Sequence, residues 1–153
     1  MSKLFGYPKF DSSGEMILTT YDNDYSTMNM DIRVYQLLKG QKRSFLSDFE
    51  ETAVLLLSGN IIYEFESTKQ HANRKDVFSE GPWALHASKN IQITIVANTD
   101  SEILVQKTKN SKDFGAKIYT PQDAPWAYAK SSHYKFGNVA NRRVNTIFDH
   151  DIS

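Results

Sequence analysis

Four histidines, His71, His86, His133 and His150, are the chain's only imidazoles. No two of them fall at the His-x-His or His-x3-His spacing that puts a pair of ligands on one face of a strand or helix. A metal centre assembled from distant residues would have to centre on His86, in the stretch "WALHA"; a surface or hydrogen-bonded imidazole is the alternative. The chain has no cysteine, which excludes thiolate ligands, thiol nucleophiles and disulfides. Carboxylates gather at Asp48, Glu50 and Glu51. An acid–base pair would need two of them to converge in a pocket; the expectation here is a solvated strand end or loop. Tyr63, Trp83 and Trp126 offer ring faces that could stack on a sugar, against which stands ordinary core or interface packing. Lys107, Lys109 and Lys112 make a small basic cluster suited to a solvated hairpin end. There is no Gly-rich phosphate loop, no Gly-x-Ser-x-Gly elbow and no His-Glu-x-x-His.

The elements that would carry these side chains are short strands. "EMILTTY" and "DIRVYQLLKG" are β-branched and aromatic runs bounded by turn residues. In "AVLLLSGNIIYEFE", Val54–Leu57 is continuously apolar, as in a strand covered on both faces, and Ile61, Tyr63 and Phe65 then alternate with polar partners. Ser58-Gly59-Asn60 between them reads as a tight reversal. "STKQHANRK" reads as a polar loop. Ile91, Ile93 and Ile95 alternate in "NIQITIVANTD", and "SEILVQKT" is the strand after it. Turn signals separate one short strand from the next, which predicts an all-β sandwich or barrel. Interior positions are expected at Val54, Leu56, Ile61, Phe65, Ile93, Ile95 and Leu104. The 153 residues suit one compact domain: an N-terminal strand and loop over 1–30, a barrel core over 31–109, and an irregular extension or connector over 110–153.

Eighteen Lys and Arg balance eighteen Asp and Glu, so no broad basic surface for nucleic acid or anionic membrane is expected. No window has the length or apolarity of a membrane span, and "MSKLFGYPKF" lacks the apolar centre of a secretory signal. The expected compartment is the cytoplasm.

One longer spacing carries more information. Gly40 is followed by five residues, then Leu46, Ser47 and Asp48; three more reach Thr52, and six more reach Gly59. This glycine frame resembles the first motif of the cupin barrel, with Leu46, Asp48 and Thr52 standing where that motif has His, His and Glu. The resemblance places a further ligand position near Ile93 and points Asp48 inward, where Arg33, Arg43 or Arg74 would have to pair with it. Arg74, Val77, Phe78, Pro82, Ala84, Leu85 and His86, the strand ending at Ala97, and the set Arg142, Val144 and Ile147 follow in an order similar to the N-terminal half of the 5-deoxy-glucuronate isomerases. These are bicupin enzymes of myo-inositol breakdown, related to the uronate ketol-isomerases of pectin breakdown. The family's Tyr-Val-Pro is here His86-Ala87-Ser88.

That resemblance implies a cupin-type jelly-roll barrel with an irregular C-terminal extension. It also implies a metal-free, non-catalytic half of a sugar-acid aldose–ketose isomerase. No cofactor is expected in this chain; a divalent metal belongs to a second cupin half, which in the family begins about where residue 153 falls. The expected partner is that second half or a second copy of the chain. The alternatives are a stand-alone sugar-acid-binding cupin, with Tyr63, Trp83, His86 and Asp48 as ligand-binding candidates, and a structural dimerisation module.

Overall fold

The computed structural model describes residues 6–23, 26–122, 132–136, 140–144 and 147, with backbone alone for 132–136 and 140–144. Its strands are β1 (Glu15–Thr19), β2 (Asp31–Leu37), β3 (Lys42–Phe45), β4 (Glu50–Phe65), β5 (Thr68–Arg74), β6 (Ala84–Ala87), β7 (Ile93–Ala97), β8 (Ser101–Lys109), β9 (Ala116–Tyr119), β10 (Ser132–Phe136) and β11 (Ala140–Val144). A 3-10 turn, Ser26–Met28, is the helical element among the described residues, and no described helix is long and apolar enough to cross a membrane.

All pairings among the described residues are antiparallel. One sheet runs β1-β2-β8-β4-β6-β9; the other runs β3-β7-β4-β5. β4 belongs to both. Its first half, Glu50–Ser58, pairs with β8, while Gly59–Phe65 pairs with β5 and β7. The reversal expected at Ser58-Gly59-Asn60 is therefore a corner inside one continuous strand. The register slips between Leu56 and Ser58, a bulge that bends the strand from one sheet into the other. Gly59 has φ +106°, and a Cβ there would sit 2.2 Å from Ser101 Oγ and 2.7 Å from Ser101 Cα. Only glycine fits both the backbone and the gap.

The two sheets enclose a core of Tyr35, Leu37, Phe45, Val54, Leu56, Ile61, Tyr63, Phe65, Leu85, Ile93, Ile95, Ile103 and Val105. Of the expected interior positions, Leu104 is the one that differs. Ile103 and Val105 are buried against the core and Leu104 alternates to the opposite face of β8, because the strand begins at Ser101 with its odd residues inward. The expected loop "STKQHANRK" is largely strand β5: polar residues hid it, since only Ala72 and Arg74 of β5 are buried. Part of the expected C-terminal extension also joins the main sheet, as β9 pairs with β6 from Ala84↔Tyr119 to Ala87↔Ala116. β10 and β11 form a hairpin, with Arg142 opposite Tyr134 and Val144 opposite Ser132. Trp126 and His150 lie outside the described residues, as do the side chains of His133, Arg142 and Arg143.

Candidate functional site

The four slots of the cupin frame separate in space. β3 ends at Phe45, so Leu46 and Asp48 stand in the loop that follows, both exposed. Asp48 thus does not point inward, as its spacing from Gly40 had led us to expect; the strand that would have carried it stops three residues earlier. Arg33, Arg43 and Arg74 have other partners. Thr52 and Ile93 do face inward and are buried. Thr52 lies between Ala87 and Lys107 on the flanking strands, and Ile93 between Phe45 and Phe65. A divalent ion needs several O, N or S donors, which a butyl group between two phenyl-bearing neighbours cannot supply. Among the described residues no three His, Asp or Glu side chains converge on a common point. The donors at these slots do not fit a metal.

What the inward faces of β1, β2, β3, β4 and β8 bring together is a charged cluster. Alternation along β2 puts Asp31, Arg33, Tyr35 and Leu37 on the core side. Arg33 donates to both carboxylate oxygens of Asp31 at 2.7 Å and to Glu15 across β1. The Asp31 bond holds its guanidinium firmly protonated, against the opposing cost of burial. Arg43 of β3 donates to the other oxygen of Glu15 at 2.9 Å and lies 4.1 Å over the Tyr35 ring. Tyr35 and Phe45 meet across the two sheets with ring centroids 5.6 Å apart. Lys107 of β8 lies 5.8 Å from the Phe45 ring, with its Nζ 3.9 Å from the Glu50 carboxylate. The Tyr21 hydroxyl donates to the Lys107 carbonyl at 3.5 Å, and burial together with the Glu50 carboxylate pushes the Tyr21 pKa well above the ordinary phenol value.

The acidic trio divides between two faces and a loop. Glu50 points into the barrel; Glu51, next along the strand, points out of it and meets His86. His86 is buried on the outer face of β6, since Leu85 and Ala87 take the core side. Its Nε2 is 3.7 Å from Glu51, its ring 4.7 Å from that of Phe114, and Asn110 donates to the same Glu51 oxygen. Burial lowers the His86 pKa below 6.5, and Glu51 opposes that shift.

Tyr63 is committed to the framework, and Trp83 joins it through its backbone carbonyl. Tyr63 is fully buried; its hydroxyl donates to the Trp83 carbonyl at 3.2 Å, so neither ring face is open to a ligand. Burial raises its pKa. Trp83 is half-buried against the core and accepts from Leu56 N and Tyr63 Oη. Arg74 is buried and donates to the carbonyls of Leu56 at 2.8 Å and Glu80 at 3.1 Å, tying the β4 corner to the loop after β5. Lys109 lies 5.0 Å over the Tyr21 ring, so the basic cluster is drawn partly against the barrel. Sequence reasoning missed Glu15, Asp31 and the inward role of Lys107, and it offered Arg33 and Arg43 to Asp48, whereas they pair with Asp31 and Glu15. One signal was present: Asp31 and Arg33 share the parity of Tyr35 and Leu37, which marks polar side chains on a core-facing row.

Two antiparallel sheets facing across an apolar core, joined by a strand that turns from one to the other, define a cupin-type double-stranded β-helix. The model of the KduI/IolB family matches residues 5–152, and the chain belongs to that family, of which 5-deoxy-glucuronate isomerase is a member. Among solved structures, an IolB-like protein from Salmonella typhimurium LT2 superposes on 78% of this chain with TM-score 0.66 and 17% identity. This chain spans only 44% of that protein's length. YlbA from Escherichia coli matches over 87% of this chain and 53% of its own, with TM-score 0.57 and 14% identity. A predicted oxalate decarboxylase from Thermotoga maritima matches over 63% of this chain and 79% of its own, with TM-score 0.52 and 12% identity. At these identities the likeness is one of fold. No curated protein matches the sequence.

Proposed function

We propose that this chain is a metal-free, non-catalytic cupin unit of a sugar-acid aldose–ketose isomerase system of the inositol-breakdown type. Isomerisation moves a proton between adjacent carbons, and a divalent ion supplies carbonyl polarisation for that step. On this reading the ion belongs to a second cupin half carrying His-x-His. The present unit contributes folded mass and a face for that half, or for a second copy of itself. The carrying observation is Ile93, fully buried between Phe45 and Phe65 at a slot where the frame would need a ligand. Membership of the KduI/IolB family and the 44% coverage of the IolB-like protein support the same reading.

The test is metal analysis of chain purified without chelators, paired with an isomerase assay on 5-deoxy-glucuronate. The expected result is substoichiometric metal and no turnover. One tightly held equivalent of zinc, iron or manganese together with turnover by this chain alone would overturn the proposal.

A further inference from the structure

We propose that the Asn90 end of the barrel docks the β10–β11 hairpin of a second copy of this chain, with acids on the barrel meeting bases on the hairpin. The inference deepens one part of the proposed function, the face offered to a second copy, and rests on that part. The barrel side is concave and acidic. Two open depressions, of about 480 and about 430 Å³, share Asn90 in their linings. Asp48 and Glu50 line the first, Glu64 and Glu66 the second, and among the described residues no Lys or Arg lines either. Glu50 stands beside Lys107, and Glu64 accepts from Lys69. Asp48 and Glu66 are exposed, and neither side chain makes an ion pair among the described residues.

The same end displays apolar side chains on a pinned loop. Leu46 and Phe49 are 61 and 53% exposed. Ser47 accepts through Oγ from Phe49 N at 3.4 Å and from Glu50 N at 3.2 Å. Its carbonyl accepts from Asn90 N at 2.7 Å, and the Phe49 carbonyl accepts from Asn110 N at 3.0 Å. Large apolar groups held in water on a loop that is already ordered mark a contact surface, and little entropy is lost when a partner covers them.

The hairpin supplies the counterpart. The stretch 132–144 contains His133, Lys135, Arg142 and Arg143 and no Asp or Glu. The chain as a whole has no net charge, so the rest of it carries the matching acidic excess. Basic and aromatic residues alternate along β10, as His133, Tyr134, Lys135 and Phe136, and the register sets His133 opposite Arg143 and Tyr134 opposite Arg142. Exposed carboxylates beside Leu46 and Phe49 select that combination of charge and ring. Among the described strands β10 and β11 pair only with each other, and a lone two-stranded hairpin is marginal in water without a surface to pack on. In a two-fold pair each copy gives its hairpin and receives the other's, so the contact is made twice.

The experiment is sedimentation of the full chain across about a hundredfold range of concentration, at low and high salt. The parent should self-associate as concentration rises, and more weakly in salt. Asp48→Lys with Glu66→Lys, and separately Arg142→Glu with Arg143→Glu, should each weaken association about tenfold or more, because like charges then face each other. Mixed in equal amounts, these two double variants should associate with one another, since each presents the charge that the other now lacks a partner for; that rescue also shows that both are folded. Asp48→Asn with Glu66→Gln alters only exposed barrel side chains and should weaken association by a smaller factor. Lys39→Glu, on the exposed turn beside the far end of β7, should behave as the parent. The inference fails if the parent stays monomeric throughout or if either barrel variant associates as the parent does. It fails equally if the mixture of folded double variants stays monomeric, as docking of the hairpin onto its own barrel would require. Metal content and turnover, read on the same samples, keep the two readings apart. A metal-loaded, active chain that still associates through these charges overturns the proposed function alone, and a metal-free monomer overturns this inference alone.

Discussion

The two ends of β4 hold the barrel by opposite means. At the Gly59 corner a side chain is missing on purpose: the backbone turns through φ +106° with Ser101 packed into the space a Cβ would take, and Arg74 satisfies the carbonyl of Leu56. At the Glu50 end side chains supply everything, through a charged cluster inside the strand and the Glu51–His86 pair outside it. The corner is set by sterics, insensitive to salt and pH. The Glu50 end is set by electrostatics and answers to both. Shape is therefore built at one end of the strand and chemistry at the other.

The strongest way to break that contrast is Gly59→Ala. The strained φ and the overlap with Ser101 together should cost about 3 kcal/mol or more, read as a shift of the urea midpoint. Adding Ser101→Gly should restore part of the loss, because it removes the overlap with the Ser101 side chain and leaves the overlap with its Cα and the φ penalty. An intact midpoint in Gly59→Ala would mean that the corner tolerates a side chain. Next comes Arg74→Met, which keeps most of the volume but strands the buried carbonyl of Leu56. A loss of about 2 kcal/mol is expected, equal at low and high salt; a strong salt dependence would transfer the corner to the electrostatic class.

The smallest effect sharpens the other end. Burial holds His86 below its unfolded value of 6.5, with Glu51 opposing. Between the folded pKa and 6.5 the unfolded chain carries a proton that the folded chain lacks, so stability falls as pH drops through that window. His86→Gln should flatten this slope relative to the parent, measured by urea titration at about pH 7.5 and about pH 5.5. An unchanged slope would place the pH response on other groups.

Much of the fold was legible because apolar rows betray themselves. Val54, Leu56, Ile61, Phe65, Ile93 and Ile95 are all buried, as their alternation required. Several of the failures are places where polar residues do interior or strand work. β5 carries one buried alanine and one buried arginine, so periodicity saw nothing there. Gly59 was recognised as special, but a glycine at positive φ serves a corner as well as a hairpin, and only Ser101, far along the chain, decides between them. The candidate site was the least legible part. Glu15, Arg33, Arg43 and Lys107 lie on four different strands, and no local spacing brings them together.

The polar makeup of β5 has a consequence of its own. Among the described strands it pairs with β4 alone, which leaves its outer row of amide and carbonyl groups facing outward at the sheet's margin. Such a margin can recruit a foreign strand and seed fibrils. Thr68, Lys69, Gln70, His71 and Asn73 give an incoming chain no apolar strip to zip against, and Lys69, 71% exposed, puts a charge on it. The same residues that conceal this segment as a strand keep it from becoming an aggregation template.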